Sequence, residues 1–317
     1  MAFLSVVIAL VLEQFYALHK LNPISLWSRW AAEKIAKNFD AGESNNGRTA
    51  WCVLVLPLTL LIALVHYFLS DAYAIFSLAW SIAVLYMTFG FRRFSHYFTS
   101  IHRALRQRDR ILAENILRQW RAPEAVQQEI TEAEIVRLAL EKGVRAVHVH
   151  VFGVFFWFVA FGPAGAIFYR LSEYAAERWG ILKYHLHSPL FGLFAQRIFY
   201  YINWLPLRLT ALGFAIVGDF EEAIYAWRHH AKDHVAADER VLLAAAGGAL
   251  GVDLVAVVSR APDEAMDVQH DSALPIPVET NQGISVATLE SAIGLVWRAV
   301  ILWLLLLALL LVATWLG

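Results

Sequence analysis

The chain has 317 residues, 59% of them hydrophobic and 17% charged, with a net charge of −1 and a mean hydropathy of +0.53. An average soluble domain is roughly 45–50% apolar and about 25% charged, so these values exclude a disordered chain and argue against a soluble enzyme. The near-zero net charge removes the electrostatic case for a nucleic-acid partner, and the single cysteine, Cys52, excludes an intramolecular disulfide or a Cys-based metal cluster.

The chain opens with an apolar run, SVVIALVL, that stops at Glu13. It has no Lys or Arg ahead of it and no small-residue cleavage site, which argues against a cleaved signal peptide. A membrane core of about 30 Å needs about 20 residues of helix. Four runs free of Asp, Glu, Lys and Arg meet that length and are predicted to span: Ala50–Ser70, Ala72–Phe91, Ala146–Tyr169 and Ala299–Gly317. Only Asp71 separates the first two, which therefore read as a tight helical hairpin. The expected fold is an all-α, polytopic helical membrane protein with amphipathic cytoplasmic helices and short or re-entrant segments.

Residues 92–145 form a charged insertion with eleven basic and seven acidic side chains. Apolar positions such as Ile101, Leu105, Ile111, Leu112, Ile116, Ile130, Ile135 and Leu138 recur at helical spacing, which predicts two amphipathic helices broken near Ala122–Pro123. The basic excess beside the hairpin places this insertion on the cytoplasmic side, and residues 16–49 with it. Two further runs are ambiguous. Leu209–Gly218 is too short to span alone, and Val241–Ser259 carries Asp253, a charge that at membrane depth faces a cavity or a partner. Residues 260–283, with three prolines, read as an extramembrane loop.

Several polar features carry possible chemistry. His148 and His150 alternate, which on a strand would put both rings on one face and on a helix would point them apart. His230 and His234 are four apart, a spacing that suits zinc or another divalent ion, but no third ligand is marked and a solvated helix face explains them too. Gly247-Gly248-Ala249-Leu250-Gly251 can approach a phosphate or allow close helix packing, the second being the reading a preceding helix favours. Gly162-Pro163-Ala164-Gly165 breaks the third apolar run, as a kink or as the frame of a ligand site. Asp219, Glu221 and Glu222 are either Mg²⁺ ligands or the acidic start of a helix. Arg208 either snorkels or binds an anionic ligand.

These motifs resemble, in their order and spacing, the CbiB/CobD membrane proteins of cobalamin synthesis and the related AmpE proteins. The resemblance runs through Leu4–Glu13, Phe155-Phe156-Trp157, Gly162-Pro163-Ala164-Gly165-Ala166, Tyr169-Arg170, Asn203-Trp204-Leu205-Pro206-Leu207-Arg208-Leu209-Thr210 and Ala246–Val252. It implies a multi-pass protein of the bacterial inner membrane. It also implies an adenosylcobinamide-phosphate synthase activity, in which a carboxylate of adenosylcobyric acid is joined to aminopropanol or its phosphate using ATP and Mg²⁺.

The chain departs from that family where the synthases carry a Glu-Asn then Asp set. Here the stretch reads Gly143-Val144-Arg145-Ala146-Val147-His148-Val149-His150. The Trp-Leu-Pro-Leu-Arg-Leu run is nearer to the AmpE branch, proposed as sensors linked to β-lactamase regulation. A non-catalytic AmpE-like sensor and a transporter therefore stand as alternatives to a ligase. Expected partners are the lipid bilayer, a corrinoid or other amphiphilic ligand and further copies of the chain. The candidate ligand-binding residues are Gly162, Gly165, Arg170, Asn203, Arg208, Asp219 and Glu222, with His230 and His234 as weak metal candidates.

Overall fold

The computed structural model describes residues 2–15, 23–39, 44–121, 130–182, 191–230, 237–255 and 284–316. Among these residues the chain is helical and contains no strand. The helices are α1 (Ala2–Phe15), α2 (Pro23–Phe39), α3 (Ser44–Ala72), α4 (Ala74–Thr88), α5 (Phe91–Arg106), α6 (Arg110–Arg121), α7 (Glu132–Val147), α8 (Gly153–Leu182), α9 (Phe191–Val217), α10 (Phe220–His230), α11 (Ala237–Leu250) and α12 (Val286–Leu316). A π-helical turn, His148–Phe152, joins α7 to α8.

Among the described residues, three helical segments are long and apolar enough to cross a membrane: Asn46–Asp71, Glu132–Gly180 and Val286–Ala313. Their outward faces carry large apolar side chains, among them Leu60, Leu64 and Phe68 of α3 and Leu305, Leu309 and Leu310 of α12. A continuous apolar face of this size is at home in lipid rather than in water. This is the all-α membrane architecture that the charge-free runs predict.

The second predicted span is corrected. Its helix, α4, ends at Thr88 after 15 residues, where Phe89 turns extended and Gly90 follows. Thr88 itself bonds back to the Val84 and Leu85 carbonyls at 3.0 Å each, closing the last turn. At 1.5 Å per residue, 15 residues fall short of a hydrocarbon core.

The charged insertion also differs from expectation. It holds α5, α6 and nearly all of α7 rather than two helices. An extra break falls at Gln107–Asp109, where Arg108 adopts left-handed backbone (φ 59°). The Asp109 and Arg108 N–H groups donate to the carbonyls of Ala104 (3.0 Å) and Leu105 (2.9 Å), closing α5 with a Schellman cap. Asp109 then caps α6 through the Leu112 N–H (2.9 Å). This start turns Ala113 and Leu117 inward and leaves Ile111 and Leu112 exposed. Ala122–Pro123 and the loop at 260–283 lie outside the described residues.

The chain forms two compact units. Unit 1 comprises Met1–Arg93, Ala146–Leu207 and Leu304–Gly317, and unit 2 comprises Phe94–Arg145 and Arg208–Trp303. In unit 1, α3 packs on α8, α1 on α4 and α2 on α3. Its core gathers Trp51, Leu54, Val55, Ile167, Leu171, Trp179 and Phe191. Trp179 is fully buried and donates its indole N–H to the Ala32 carbonyl at 3.2 Å.

In unit 2, α10 packs on α11. The short run Leu209–Gly218 is the C-terminal part of α9 as far as Val217, and Val241–Leu250 belongs to α11. Gly248 sits on the backbone of Glu222 and Ala223, so that a Cβ there would come within 2.5 Å of the Glu222 carbonyl oxygen. Gly251, at φ 69°, closes α11 as its left-handed cap, with Gly251 and Val252 N–H groups bonding Gly248 and Gly247 carbonyls. The glycine cluster therefore serves close helix packing and a helix end. Asp253 lies in the turn beyond, where its carboxylate accepts the Val255 N–H at 2.8 Å.

The break in α8 is the sharpest backbone feature. Phe161 and Gly162 leave helical geometry, Gly162 at φ 63° and ψ −152°, immediately before Pro163. At Gly165 a Cβ would collide with the Trp157 carbonyl. Because that contact is backbone, no rotamer can relieve it. Gly165→Ala is expected to destabilise the protein by about 1–3 kcal/mol through overpacking. Gly294→Ala, in helix α12 with no heavy atom within 4 Å of the new Cβ, is expected to be neutral or stabilising by up to about 1 kcal/mol. Unfolding in detergent, followed by circular dichroism, measures both.

Candidate functional site

Two prolines set the local geometry of unit 1. Proline has no N–H, so Pro206 inside α9 leaves the Ile202 carbonyl without its helical donor. The Trp157 indole takes that place, donating to the Ile202 oxygen at 3.3 Å. The contact ties α8 to α9 one residue before Asn203. Pro163 is the second proline, and the chain it redirects carries Tyr169 and Arg170 two turns further on.

Asn203 is the centre of a polar group between these helices. Its side-chain oxygen accepts the Tyr169 hydroxyl at 2.8 Å and faces His148 Nε2 at 2.8 Å. An amide oxygen only accepts, so His148 presents its Nε2–H. Both partners are buried, at 0% exposure for Tyr169 and 1% for His148, while Asn203 is half-buried. Two features make room for this arrangement. His148 opens the π-turn, whose extra residue shifts the following side chains around the helix. Gly153 then lies where any Cβ would strike the Tyr169 ring and hydroxyl.

Arg170 points away into a second pair. Its Nη1 meets the Glu173 carboxylate at 2.8 Å, with the two side chains 20% and 10% exposed. Further along α8, Arg178 pairs with Glu33 of α2. A pair so withdrawn from water holds its geometry better than a surface one, though its net contribution to stability is small.

Of the candidate residues, Gly162, Gly165, Arg170 and Asn203 belong to unit 1, and Arg208, Asp219 and Glu222 to unit 2. Asn203 comes together with His148 and Tyr169. Gly162 and Gly165 shape the helix break. Asp219 caps α10, accepting the Glu222 N–H at 3.2 Å, with Glu222 in the first turn and both side chains exposed. His230 is the last residue of α10, its side chain lies outside the described residues, and so does His234. Among the described residues, no group of three His, Cys, Asp and Glu gathers as a metal site.

His148 and Tyr169 were not expected as partners of Asn203. The sequence places His148 two residues from His150, and the helical reading, which points the two rings apart, describes what is found: His148 reaches Asn203, and His150 lies beside Gly90, where a Cβ would lie 3.3 Å from its ring. The one available signal was that Tyr169 and Asn203 both fall inside the stretches that carry the family resemblance.

Helices of membrane-spanning length, broken and kinked around a buried polar centre, define an integral membrane protein of the all-α class. The chain matches the family described as CobD/Cbib protein over residues 3–275. It is 31% identical over 312 residues to a "Cobalamin biosynthesis protein CobD" of Stutzerimonas stutzeri strain A1501, covering 96% of each chain. It is 32% identical to the Chromobacterium violaceum protein of the same description over 174 residues, covering 55% of this chain and 54% of the relative. A Leptospira interrogans protein so described is 25% identical over 282 residues, covering 86% and 88%. No solved structure matches. The chain belongs to the CobD/CbiB family.

The hydrogen bonds at Asn203 generate a stability prediction. Tyr169→Phe removes one donor and keeps the ring, and is expected to cost about 1 kcal/mol. Asn203→Leu removes the shared acceptor and orphans two buried donors, and is expected to cost about 2–4 kcal/mol. In the Tyr169→Phe, Asn203→Leu double variant the losses should be less than additive. A chemical-denaturation cycle in detergent reads the coupling.

Proposed function

We propose that this protein acts in cobalamin biosynthesis as a multi-pass protein of the bacterial inner membrane. Its proposed step joins a carboxylate of a corrinoid to aminopropanol or its phosphate through an amide bond. The observation that carries this reading is the match to a CobD protein across 96% of both chains, supported by a buried polar centre within the matched stretches.

The side chains of unit 1 suit the handling of a carboxylate. With its oxygen taken up by Tyr169 and His148, the Asn203 amide has its N–H₂ left to donate to a ligand oxygen. The guanidinium of Arg170 carries five N–H donors, and Glu173 engages it through one of its nitrogens. Both groups orient a carboxylate without transferring a proton. The hydroxyl of Tyr169 and the ring of His148 act on Asn203 and hold it.

The ligase reading also brings in ATP and Mg²⁺, and the two features that the sequence offers for them, the acids at 219–222 and the glycines at 247–248, take part in helix structure, while among the described residues no three His, Cys, Asp or Glu gather around a metal position. Asp219 is engaged as a helix cap. Gly247 and Gly248 are packed inside or at the end of a helix, so their N–H groups do not cradle a phosphate.

Complementation of a strain lacking the synthase, under corrin-dependent growth, tests the proposal. Growth is expected with the wild-type chain, at least about tenfold loss with Asn203→Ala or Arg170→Ala at equal protein level, and no loss with Asp219→Ala, whose cap is worth about 1 kcal/mol. Repeated failure of the wild-type chain, present in the membrane at normal level, would overturn the ligase reading. An AmpE-like sensor would then be favoured if deletion changes β-lactamase induction.

A further inference from the structure

Helix α2 is fixed in unit 1 by one of its faces. Ala31, Ala32 and Ala36 enter the core beside Ala50 and Trp51 of α3. The Ala32 carbonyl accepts the Trp179 indole N–H at 3.2 Å, and Glu33 pairs with Arg178. These partners stand near the start of α3 and in the last turns of α8. The segments of membrane-crossing length begin at Asn46 and end at Gly180 on the same two helices. Helix α2 therefore packs where two spans terminate, at the level where hydrocarbon gives way to lipid headgroups.

The other face of α2 is composed for that level. Positions 27, 30, 34 and 37 recur at helical spacing and hold Trp, Trp, Lys and Lys, with no acid among them. Trp27 is 41% and Trp30 56% exposed, and both lysines are exposed. The Lys34 ammonium lies 4.8 Å from the centre of the Trp30 ring, so cation and indole stand at one height. Arg48, also exposed, adds a basic group at the start of α3.

A face turned to hydrocarbon is apolar throughout, as Leu60, Leu64 and Phe68 are on α3. A face turned to water has no physical reason to gather two indoles. Tryptophan collects at the membrane–water boundary, where its ring is withdrawn from water and its N–H keeps a polar partner. Lysine beside it meets the phosphates of anionic lipids. The two residue types together on one fixed face match that boundary and neither solvent alone.

We propose that the Trp27, Trp30, Lys34 and Lys37 face of α2 is a docking surface for anionic phospholipid headgroups. The indoles lie at the junction of headgroup and acyl chain, and the ammonium groups lie on the phosphates. The proposal does not rest on the ligase reading, and its test does not use activity.

The full chain in a neutral detergent is titrated with short-chain phosphatidylglycerol, and with phosphatidylcholine as the uncharged control, while its thermal midpoint is followed. The midpoint is expected to rise at lower concentrations of phosphatidylglycerol than of phosphatidylcholine. The phosphatidylglycerol concentration at half-effect should increase about fivefold for each lysine changed in Lys34→Gln and Lys37→Gln. Lys34→Arg, which keeps the charge, should respond as wild type does. Salt at about 0.5 M should weaken the wild-type preference by screening.

A second measurement does not depend on those variants. A nitroxide is attached at Asn38→Cys in a Cys52→Ser background, Asn38 being exposed on the edge of the same face. In phosphatidylglycerol nanodiscs the label should be shielded from a water-soluble nickel chelate and reached by oxygen. The proposal is overturned if both lipids act alike on the wild type, or if Lys34→Gln with Lys37→Gln keeps the wild-type response. It is equally overturned if the nickel chelate reaches the label as freely as it reaches a label in bulk water, which marks a face that water or a soluble partner covers.

Discussion

A backbone carbonyl released inside an apolar helix must find another donor, because lipid and packed side chains supply none. Unit 1 is arranged around one such carbonyl. Pro206 releases the oxygen of Ile202, and Trp157 of α8 donates to it. That contact sets how α8 approaches α9, and several later features follow from it. Trp157 has its own carbonyl pressed by the chain returning after the break at Gly162, which is why residue 165 is a glycine. The redirected helix then brings Tyr169 level with Asn203, the neighbour of Ile202. Gly153 leaves the space for its hydroxyl. Proline, tryptophan, glycine, tyrosine and asparagine are five residues of different character, and one unsatisfied oxygen connects them.

The elements legible in the sequence are those that depend on composition over many residues. Length without charge identifies α3, the α7–α8 segment and α12, since burial in lipid requires an uninterrupted run. The amphipathic character of 92–145 was legible for the same reason. What the sequence hides is local. The second apolar run has length enough to span, yet its helix stops at Thr88, where the Phe89 backbone turns extended. Ile111 and Leu112 look like core positions by spacing, but the cap at Asp109 starts α6 in a phase that exposes them. A single left-handed residue, Arg108, sets that phase, and nothing in an arginine announces it.

The candidate site was legible in part, for a related reason. Asn203 stands out because it is a polar residue inside one of the stretches that carry the family resemblance, and an amide is costly to bury unless it is bonded. Its partners do not stand out. Tyr169 is one aromatic residue among many, and His148 is half of a His-x-His pair whose helical reading separates the two rings without showing what either one meets. The acidic and glycine clusters in unit 2 mislead in the opposite direction. They look like ligand chemistry, and they serve a helix cap and a close helix crossing.

The stretch in which this chain departs from the synthases is also where its two units divide, between Arg145 and Ala146. Each departing residue is engaged on its own side. Arg145 bridges Glu141 and Glu239 in unit 2, and His148 bonds Asn203 in unit 1. A Glu-Asn-Asp set at this place would put acceptors and negative charge where this chain has a guanidinium and two imidazoles. The guanidinium is answered by two carboxylates and the buried imidazole by an amide, so little free charge is left in this stretch. The residues that replace the set are spent on contacts within their own units, where a charge withdrawn from water needs a partner of opposite sign and a buried ring nitrogen needs an acceptor.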